Sequence, residues 1–432
     1  MSQTVEHTDS SSLRSNEEPD KKQKSRRPAN TAFRQQRLKA WQPILTPKTV
    51  LPLFFAVGIL FAPIGGLLIY ASSQVEDILI DYTKCNFPES QGGAPVCSAD
   101  DDLGSLMPSG QVTQHFKMKD QQEGVKWCQT SEDVHYGRQS QSNNYSLPTD
   151  TCRISFHIPN DIGPPVLLYY QLTNFYQNHR RYVKSFDQDQ LKGNYRDNDT
   201  IQGSDCDPLR KEPDPQDGGV SKAIYPCGLI ANSLFNDTYF SPTLLNTNVG
   251  TDSETYHMIN KGIAWDSDAD LYKPTAYKYG EVVPPPNWSL RYPDGYNEDF
   301  PFPPLHEWEE FQNWMRTAGL PTFSKLALRN DNATMITGTY QMKVYNLFPA
   351  HLYDGTKSIL ISTRTVMGGK NSSLGIAYVV VGGICIVLGA LFLAFHLIKP
   401  RKLGDHSYLS WNTDQPSTAT TSGRAPRPGD PA

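Results

Sequence analysis

The sequence predicts an α+β membrane protein: two transmembrane helices flanking a large, mainly antiparallel β extracytoplasmic domain with few helices and three disulfides. Three observations carry this. Val50 to Ala71 and Leu374 to Ile398 are apolar and free of Asp, Glu, Lys and Arg, and each reaches the roughly 20 residues that cross a bilayer as a helix. Six of the seven cysteines and all six Asn-x-Ser/Thr sequons lie between those segments. The intervening stretch is dominated by alternating and β-branched runs, the pattern of half-buried strands.

The elements follow in order. Residues 1–49 read as a cytosolic tail. Its first thirty residues are polar and charged, a composition that cannot bury a core. From Thr31 to Lys48, Phe33, Leu38, Trp41, Ile44 and Leu45 alternate with Arg34, Arg37 and Lys39. This reads either as a short amphipathic membrane-surface helix broken at Pro43 or as a plain basic anchor. Residues 50–71 form the first membrane helix. A cleaved leader is disfavoured, because it would run to about 70 residues against the usual ~15–30. Residues 72–373 form the extracytoplasmic domain, residues 374–398 the second membrane helix and residues 399–432 a Ser/Thr/Pro-rich tail.

Flanking charge sets the orientation. Lys21 to Lys48 carries nine Lys/Arg and no acid, and Lys399, Arg401 and Lys402 follow the second segment. Positive flanks stay cytosolic, so both termini are expected there. The span between the segments holds 25 basic and 37 acidic residues of the chain's 40 and 45.

Within the extracytoplasmic span, Cys152, Ile154, Phe156 and Ile158 alternate as one face of a strand. Pro164 to Leu172, Thr334 to Val344 and Lys357 to Val366 are further strand candidates. Asn174 to Lys184 and His306 to Leu320 are the helix candidates, the second stopped by Pro321. Pro and Gly crowd Asp205 to Gly219 and Val282 to Pro304, which predicts long excursions from an antiparallel core. Cys85, Cys97, Cys128, Cys152, Cys206 and Cys227 form an even set in an oxidising compartment. Six cysteines allow 15 pairings. Sequential pairing (85 with 97, 128 with 152, 206 with 227) closes the shortest loops and is the favoured expectation. Zinc ligation would want close Cys-x-x-Cys pairs, and the chain has none. Cys385 sits in the second apolar segment as a small hydrophobe. Of the sequons, Asn144, Asn198, Asn236, Asn287 and Asn332 are candidates for glycosylation, with Asn236 and Asn332 best placed. Asn371 lies three residues from the membrane segment.

The chain is poor in catalytic motifs. Asp354-Gly355-Thr356-Lys357-Ser358 has only the end of a phosphate loop and lacks the earlier glycine. There is no Asp-Lys-Thr-Gly-Thr and no Gly-x-Ser-x-Gly. Asp266, Asp268 and Asp270 open like a calcium loop, but Leu271 stands where the loop needs glycine and Tyr277 where it needs glutamate. His179 has no acidic or thiol neighbour to orient it, so a structural histidine is the simpler reading. No carboxylate pair is singled out for glycosidase chemistry. No catalytic residue, metal site or cofactor is therefore expected. The membrane segments say more. Gly375, Gly382 and Gly389 recur every seven residues, as do Gly58, Gly65 and Ser72. Such stripes let another helix approach closely, though glycine is common in membrane helices anyway.

A resemblance now enters on specific residues. The run Asn30-Thr-Ala-Phe33-Arg-Gln-Gln-Arg-Leu-Lys-Ala-Trp41-Gln-Pro43 resembles the entry signature of the cell division control protein 50 family, also called ligand-effect modulators, and its wording is similar to fungal members. Tyr169 to Tyr182, Pro226 to Asp237, Gly262 to Asp268, Asn313 to Ala318 and Gly368 to Asn371 extend the likeness in order, over roughly Asn30 to Lys402. The family implies a non-catalytic β subunit of a type IV P-type ATPase, a phospholipid flippase whose α subunit hydrolyses ATP and moves lipid to the cytosolic leaflet. It implies a role in the α subunit's export from the endoplasmic reticulum and in its activity. It also implies an antiparallel β ectodomain, and residence in the endoplasmic reticulum, Golgi, endosome or plasma membrane. The partners expected are that α subunit and the phospholipid membrane, with no nucleic acid. Arg34, Arg37, Trp41, Gly58, Gly65, Gly375, Gly382 and Gly389 are the expected partner contacts. The competing reading is a stand-alone ecto-enzyme or glycan-binding receptor.

Overall fold

The computed structural model describes residues 30–39, 46–98, 104–118, 124–136, 145–245, 254–364 and 368–400. The chain divides into two units, Met1–Ala56 with Ile386–Ala432, and Val57–Cys385. Among the described residues, two helices are long and apolar enough to cross a membrane, Pro47–Ser73 and Ser373–Ile398.

In the first unit, the ring of Phe54 meets that of Phe392 edge-on at 5.7 Å. Residues 30–39 form turns rather than the amphipathic helix that is one of the two readings of Thr31 to Lys48. The amides of Gln35, Gln36 and Arg37 bond back to Thr31, Phe33 and Ala32, but Gln36 adopts φ +54°. A left-handed residue ends helical propagation. Trp41, the Pro43 break and the tails at 1–29 and 401–432 lie outside the described residues.

The second unit is built on two antiparallel sheets. Eight longer strands are numbered β1 (Asp77–Asp81), β2 (Val112–His115), β3 (Lys126–Tyr136), β4 (Tyr145–Ile158), β5 (Val166–Leu172), β6 (Phe323–Asn330), β7 (Gly338–Tyr345) and β8 (Lys357–Thr363). The five-stranded sheet runs β6-β5-β8-β1-β2. In it Ile78 faces Ile361 and Ile80 faces Ile359 across the β1–β8 ladder, and all four are buried. The seven-stranded sheet centres on β7-β4-β3 with short strands at its margins. Its alternation is the one read from sequence: Cys152, Ile154, Phe156 and Ile158 are buried on one face of β4. The two sheets share one hydrophobic core that includes Ile78, Ile80, Leu168, Ile154, Phe156 and Met342. The three remaining strand candidates appear as β5, β7 and β8 with shifted ends.

Both helix candidates shorten. Only Arg180–Lys184 of the first is helical; Asn174 sits at φ +56° and the Phe175 amide donates to the Pro321 carbonyl instead of a helix. The second runs Glu309–Met315 and ends where Arg316 turns away to pair with Asp268. The excursions are more ordered than their Pro and Gly content suggested. They build a second core around a small three-stranded sheet, with Tyr225, Tyr277, Trp288, Tyr296 and Phe311 buried together.

Three disulfides form, and two of the expected pairings are corrected. The bonds are Cys85–Cys152, Cys97–Cys128 and Cys206–Cys227. The register explains the change. Cys128 lies opposite Arg153, and Cys152 opposite Gln129. Side chains alternate along a strand, so Cys128 and Cys152 point to opposite faces of the sheet and cannot bond. The Cys97 amide donates to the Gln129 carbonyl at 2.9 Å, which lays Cys97 beside Cys128. Cys85, just past β1, then reaches Cys152 on the other sheet. Each closed loop stabilises by about 2–4 kcal/mol, more for longer loops, and Cys85–Cys152 closes the longest, 67 residues apart in sequence.

Candidate functional site

The catalytic candidates resolve into structural roles. Arg316 holds Asp268 through both guanidinium bonds, Nε to Oδ2 at 2.6 Å and Nη2 to Oδ1 at 2.8 Å, and stacks over Trp265 at 4.4 Å. His179 caps the helix Arg180–Lys184 by accepting from the Arg181 amide. Among the described residues, no three His, Cys, Asp or Glu gather as metal ligands.

Lys357, from the run that resembled the end of a phosphate loop, is the centre of a buried polar node. Its Nζ lies 2.6 Å from Asp237 Oδ2, with both side chains essentially unexposed. The Tyr82 hydroxyl donates to the same oxygen at 2.7 Å and meets the Tyr239 hydroxyl at 2.6 Å. Asp237 Oδ1 accepts from the amides of Leu347 and Phe348, each at 2.6 Å. Both carboxylate oxygens are therefore satisfied, as a buried charge requires. Burial pushes the Lys357 ammonium down while Asp237 holds it up. Burial, and then Asp237, push the Tyr82 hydroxyl well up. The node joins the end of β1, the start of β8, the loop after β7 and the Asn236-Asp237-Thr238 sequon. A second buried lysine, Lys325, donates to the carbonyls of Asn313 at 2.5 Å, Trp314 at 3.2 Å and Arg316. Sequence reasoning missed both lysines. The available signal was a lysine in a strand with apolar neighbours: Lys357 opens Lys357–Thr363, and Lys325 precedes Leu326-Ala327-Leu328.

In the membrane helices, the residues picked by seven-residue spacing are the buried ones. Gly58, Gly65 and Ser72 are the buried positions of the first helix, and Gly375, Gly382 and Gly389 those of the second. They pack against each other. A Cβ on Gly65 would lie 2.7 Å from the Gly375 carbonyl oxygen, and one on Gly382 would lie 2.9 Å from the Ala62 amide and 3.3 Å from the Gly58 carbonyl oxygen. In the other unit, a Cβ on Gly389 would press on Phe55 at 3.3 Å. The Ser72 hydroxyl accepts from the Asn371 amide at 3.0 Å. The expected partner contacts Gly58, Gly65, Gly375, Gly382 and Gly389 therefore lie where the chain's own two helices meet. Each stripe is the close-approach face for the chain's own second helix. The outward faces, with Leu53, Ile59, Leu67, Val380, Ile384 and Val387, remain exposed.

Of the other expected site residues, Arg34 and Arg37 are exposed, and Arg37 Nη2 donates to Asn30 Oδ1. Asn198, Asn287 and Asn332 are exposed, Asn236 is half-buried, and Asn144 lies outside the described residues.

Comparison with known proteins places this arrangement. The model of the LEM3 (ligand-effect modulator 3) family / CDC50 family matches residues 68–402. The chain is 43% identical over 396 residues to the phospholipid-transporting ATPase accessory subunit CDC50 of Chaetomium thermophilum, covering 90% of this chain and 92% of that protein. It is 38% identical over 410 residues to the accessory subunit LEM3 of Saccharomyces cerevisiae, covering 94% and 92%. It is 36% identical over 391 residues to cell cycle control protein 50A of Bos taurus, covering 86% and 90%.

Proposed function

This chain belongs to the LEM3/CDC50 family, and we propose from that membership that it is the non-catalytic accessory subunit of a phospholipid-transporting P-type ATPase. The observation that carries the reading is the match to the accessory subunits CDC50 and LEM3, which spans 90% or more of this chain and of each relative. The architecture suits the role. The protein is a membrane protein with two candidate spans. Its ectodomain is braced by disulfides and by a satisfied buried ion pair, and its helices are already paired with each other. Such a body can present a fixed surface to a larger partner and needs no reactive centre of its own.

The finer assignments belong to the same proposal. Residues 1–49 and 399–432 are cytosolic, 50–71 and 374–398 span the bilayer, and 72–373 face away from the cytosol, following the basic flanks. Asn198, Asn236, Asn287 and Asn332, with Asn144, are the sequons available for glycans in that compartment. The ATPase partner is met by the outward faces of the helix pair and by the basic run bearing Arg34, Arg37 and Trp41. The complex moves aminophospholipid to the cytosolic leaflet, and this chain is required for its exit from the endoplasmic reticulum to the Golgi, endosome and plasma membrane. Purification of the tagged full chain in mild detergent tests the reading. A stoichiometric, much larger ATPase should accompany it, and a chain that purifies alone would contradict the assignment.

A further inference from the structure

Beside the buried node, the domain between the two long helices contains a cavity of about 530 Å³, within the range of roughly 300–1,000 Å³ typical of small-molecule sites. It lies at the seam of the two hydrophobic cores, since its wall residues Phe235 and Tyr239 belong to the first and Trp288 to the second. The aromatic walls are fixed. The Phe235 ring stacks on that of Tyr170 at 4.0 Å, Trp288 meets Trp308 edge-on at 5.6 Å, and Trp288 Nε1 donates to the Ala231 carbonyl at 2.9 Å. Past Lys261, Arg291 and Glu310 the cavity adjoins a second hollow of about 550 Å³.

Asn236 stands on the wall of this cavity, half-buried. Its Oδ1 is sealed from water, whereas its Nδ2 is neither sealed nor hydrogen-bonded to any described residue. Nδ2 is therefore the polar atom that Asn236 presents to the space. The residue is held on both sides. Asp237 is bound by Lys357 and by the Leu347 and Phe348 amides, and Thr238 and Tyr239 pair with Tyr345 and Val344 of β7. Phe235, on the other side, is clamped against Tyr170. A group bonded to Nδ2 thus enters the cavity in a set direction. The surroundings select its chemistry. Lys261 and Arg291 are balanced by Glu307 and Glu310, so an anion finds no net positive field. Apolar aromatic faces with a few polar groups at the rim, such as Asn260 bonded to Glu310 at 2.6 Å, suit a neutral, hydroxylated ligand with apolar faces. A sugar has that character, and Asn236-Asp237-Thr238 is a sequon whose Nδ2 is the acceptor atom.

We propose that the N-glycan of Asn236 is an internal strut, its two stem N-acetylhexosamines lying in this cavity against the aromatic walls and only its outer sugars reaching solvent past the rim. The proposal rests on the reading that residues 72–373 face away from the cytosol, and it gives this one sequon a structural task. A stem in this position bridges the strands beside Asn236 and the excursion that carries Trp288 and Trp308, and so ties the second core to the first. The exposed sequon at Asn332 has no such walls and carries a glycan free in solvent.

The test is site-resolved glycopeptide mass spectrometry on the full chain, carrying high-mannose glycans, before and after endoglycosidase H treatment without denaturation. That enzyme cuts between the two stem sugars. The Asn236 glycan should be cleaved at least about tenfold more slowly than that of Asn332, because cleavage must wait for local opening, and the difference should vanish on denaturation. Arg291→Ala, at an exposed rim position where the guanidinium lies over the Trp308 ring at 4.4 Å, should speed cleavage at Asn236 and leave Asn332 unchanged. Thr238→Ala removes the glycan and Thr238→Ser keeps it, both at an exposed side chain. The alanine variant should unfold at a lower temperature than the parent chain in detergent, and the serine variant should match the parent. Equal cleavage at Asn236 and Asn332 overturns the proposal, as does an unmodified Asn236 in a chain glycosylated elsewhere. So does protection of the Asn287 glycan in place of that on Asn236, or equal unfolding temperatures for the two Thr238 variants. The cleavage comparison is made on the parent chain, so it decides the matter even if Thr238→Ala fails to fold. A chain bearing no glycan at any sequon between the two long helices would instead refute the orientation.

Discussion

At the scale of single residues, the fold depends on two lysines that apolar sequence context would not place inside. Lys357 and Asp237 are buried together, and taking two charges out of water is offset only by good geometry and full hydrogen bonding. Both conditions are met, so the damage comes from removing one partner. Asp237→Asn or Lys357→Met alone should destabilise the domain between the two long helices by about 3–5 kcal/mol. The double variant should cost clearly less than the sum, because it leaves no unpaired charge. Thermal unfolding of the detergent-solubilised chain checks this, and additive losses would mean that the pair is not coupled. Lys325 behaves differently, having carbonyls but no carboxylate around it. Burial, with Arg316 adding to it, pushes its ammonium down to about 7 from the ordinary 10.5. Between those values the unfolded chain binds the extra proton, so stability should rise with pH across that window. Wild type should gain stability from pH 7 to 9.5 relative to Lys325→Met, whose own deficit from three orphaned carbonyls is independent of pH. Parallel curves for the two proteins would refute the assignment.

At the scale of elements, the glycine spacing marked a helix-packing face, and the helix packed there belongs to the same chain. Seven-residue recurrence says that a face is smooth. It does not say whether the approaching helix belongs to the same chain. The structure supplies the answer at Gly65–Gly375 and Gly58–Gly382. Gly382→Leu should force the two helices apart, whereas Gly383→Leu should not, since a Cβ there meets nothing within 4 Å. With Cys385 replaced, cysteines at Phe61 and Tyr378, whose rings lie 5.0 Å apart, report the pairing through a short bis-thiol cross-linker. Cross-linking should be lost in the first variant and kept in the second. Equal yields would show that the stripe is not the contact. The strands were legible for a related reason: Cys152 to Ile158 alternates with period two, and β4 follows it. The disulfide pairing was not legible, because register decides it, and register depends on β3 lying against β4. The second core was hidden as well. Its aromatic residues from Tyr225 to Phe311 follow no period, and the prolines and glycines among them suggested loop.

At the scale of the whole molecule, the two candidate membrane helices and the family were readable from apolar segments and long motifs, whereas the buried node was not. It is assembled from residues 120 apart in sequence, Asp237 and Lys357. Function follows the same division. The role comes from association: a disulfide-braced domain and a pair of helices offered to an ATPase. The most direct measurement compares lipid transport by the partner ATPase in reconstituted vesicles with and without this chain. The account predicts that fluorescent phospholipid crosses to the ATP-facing leaflet, with vanadate-sensitive ATP hydrolysis, only when both subunits are present, and that this chain alone hydrolyses no ATP. Full transport by the ATPase without it, or ATP turnover by the isolated chain, would contradict the account.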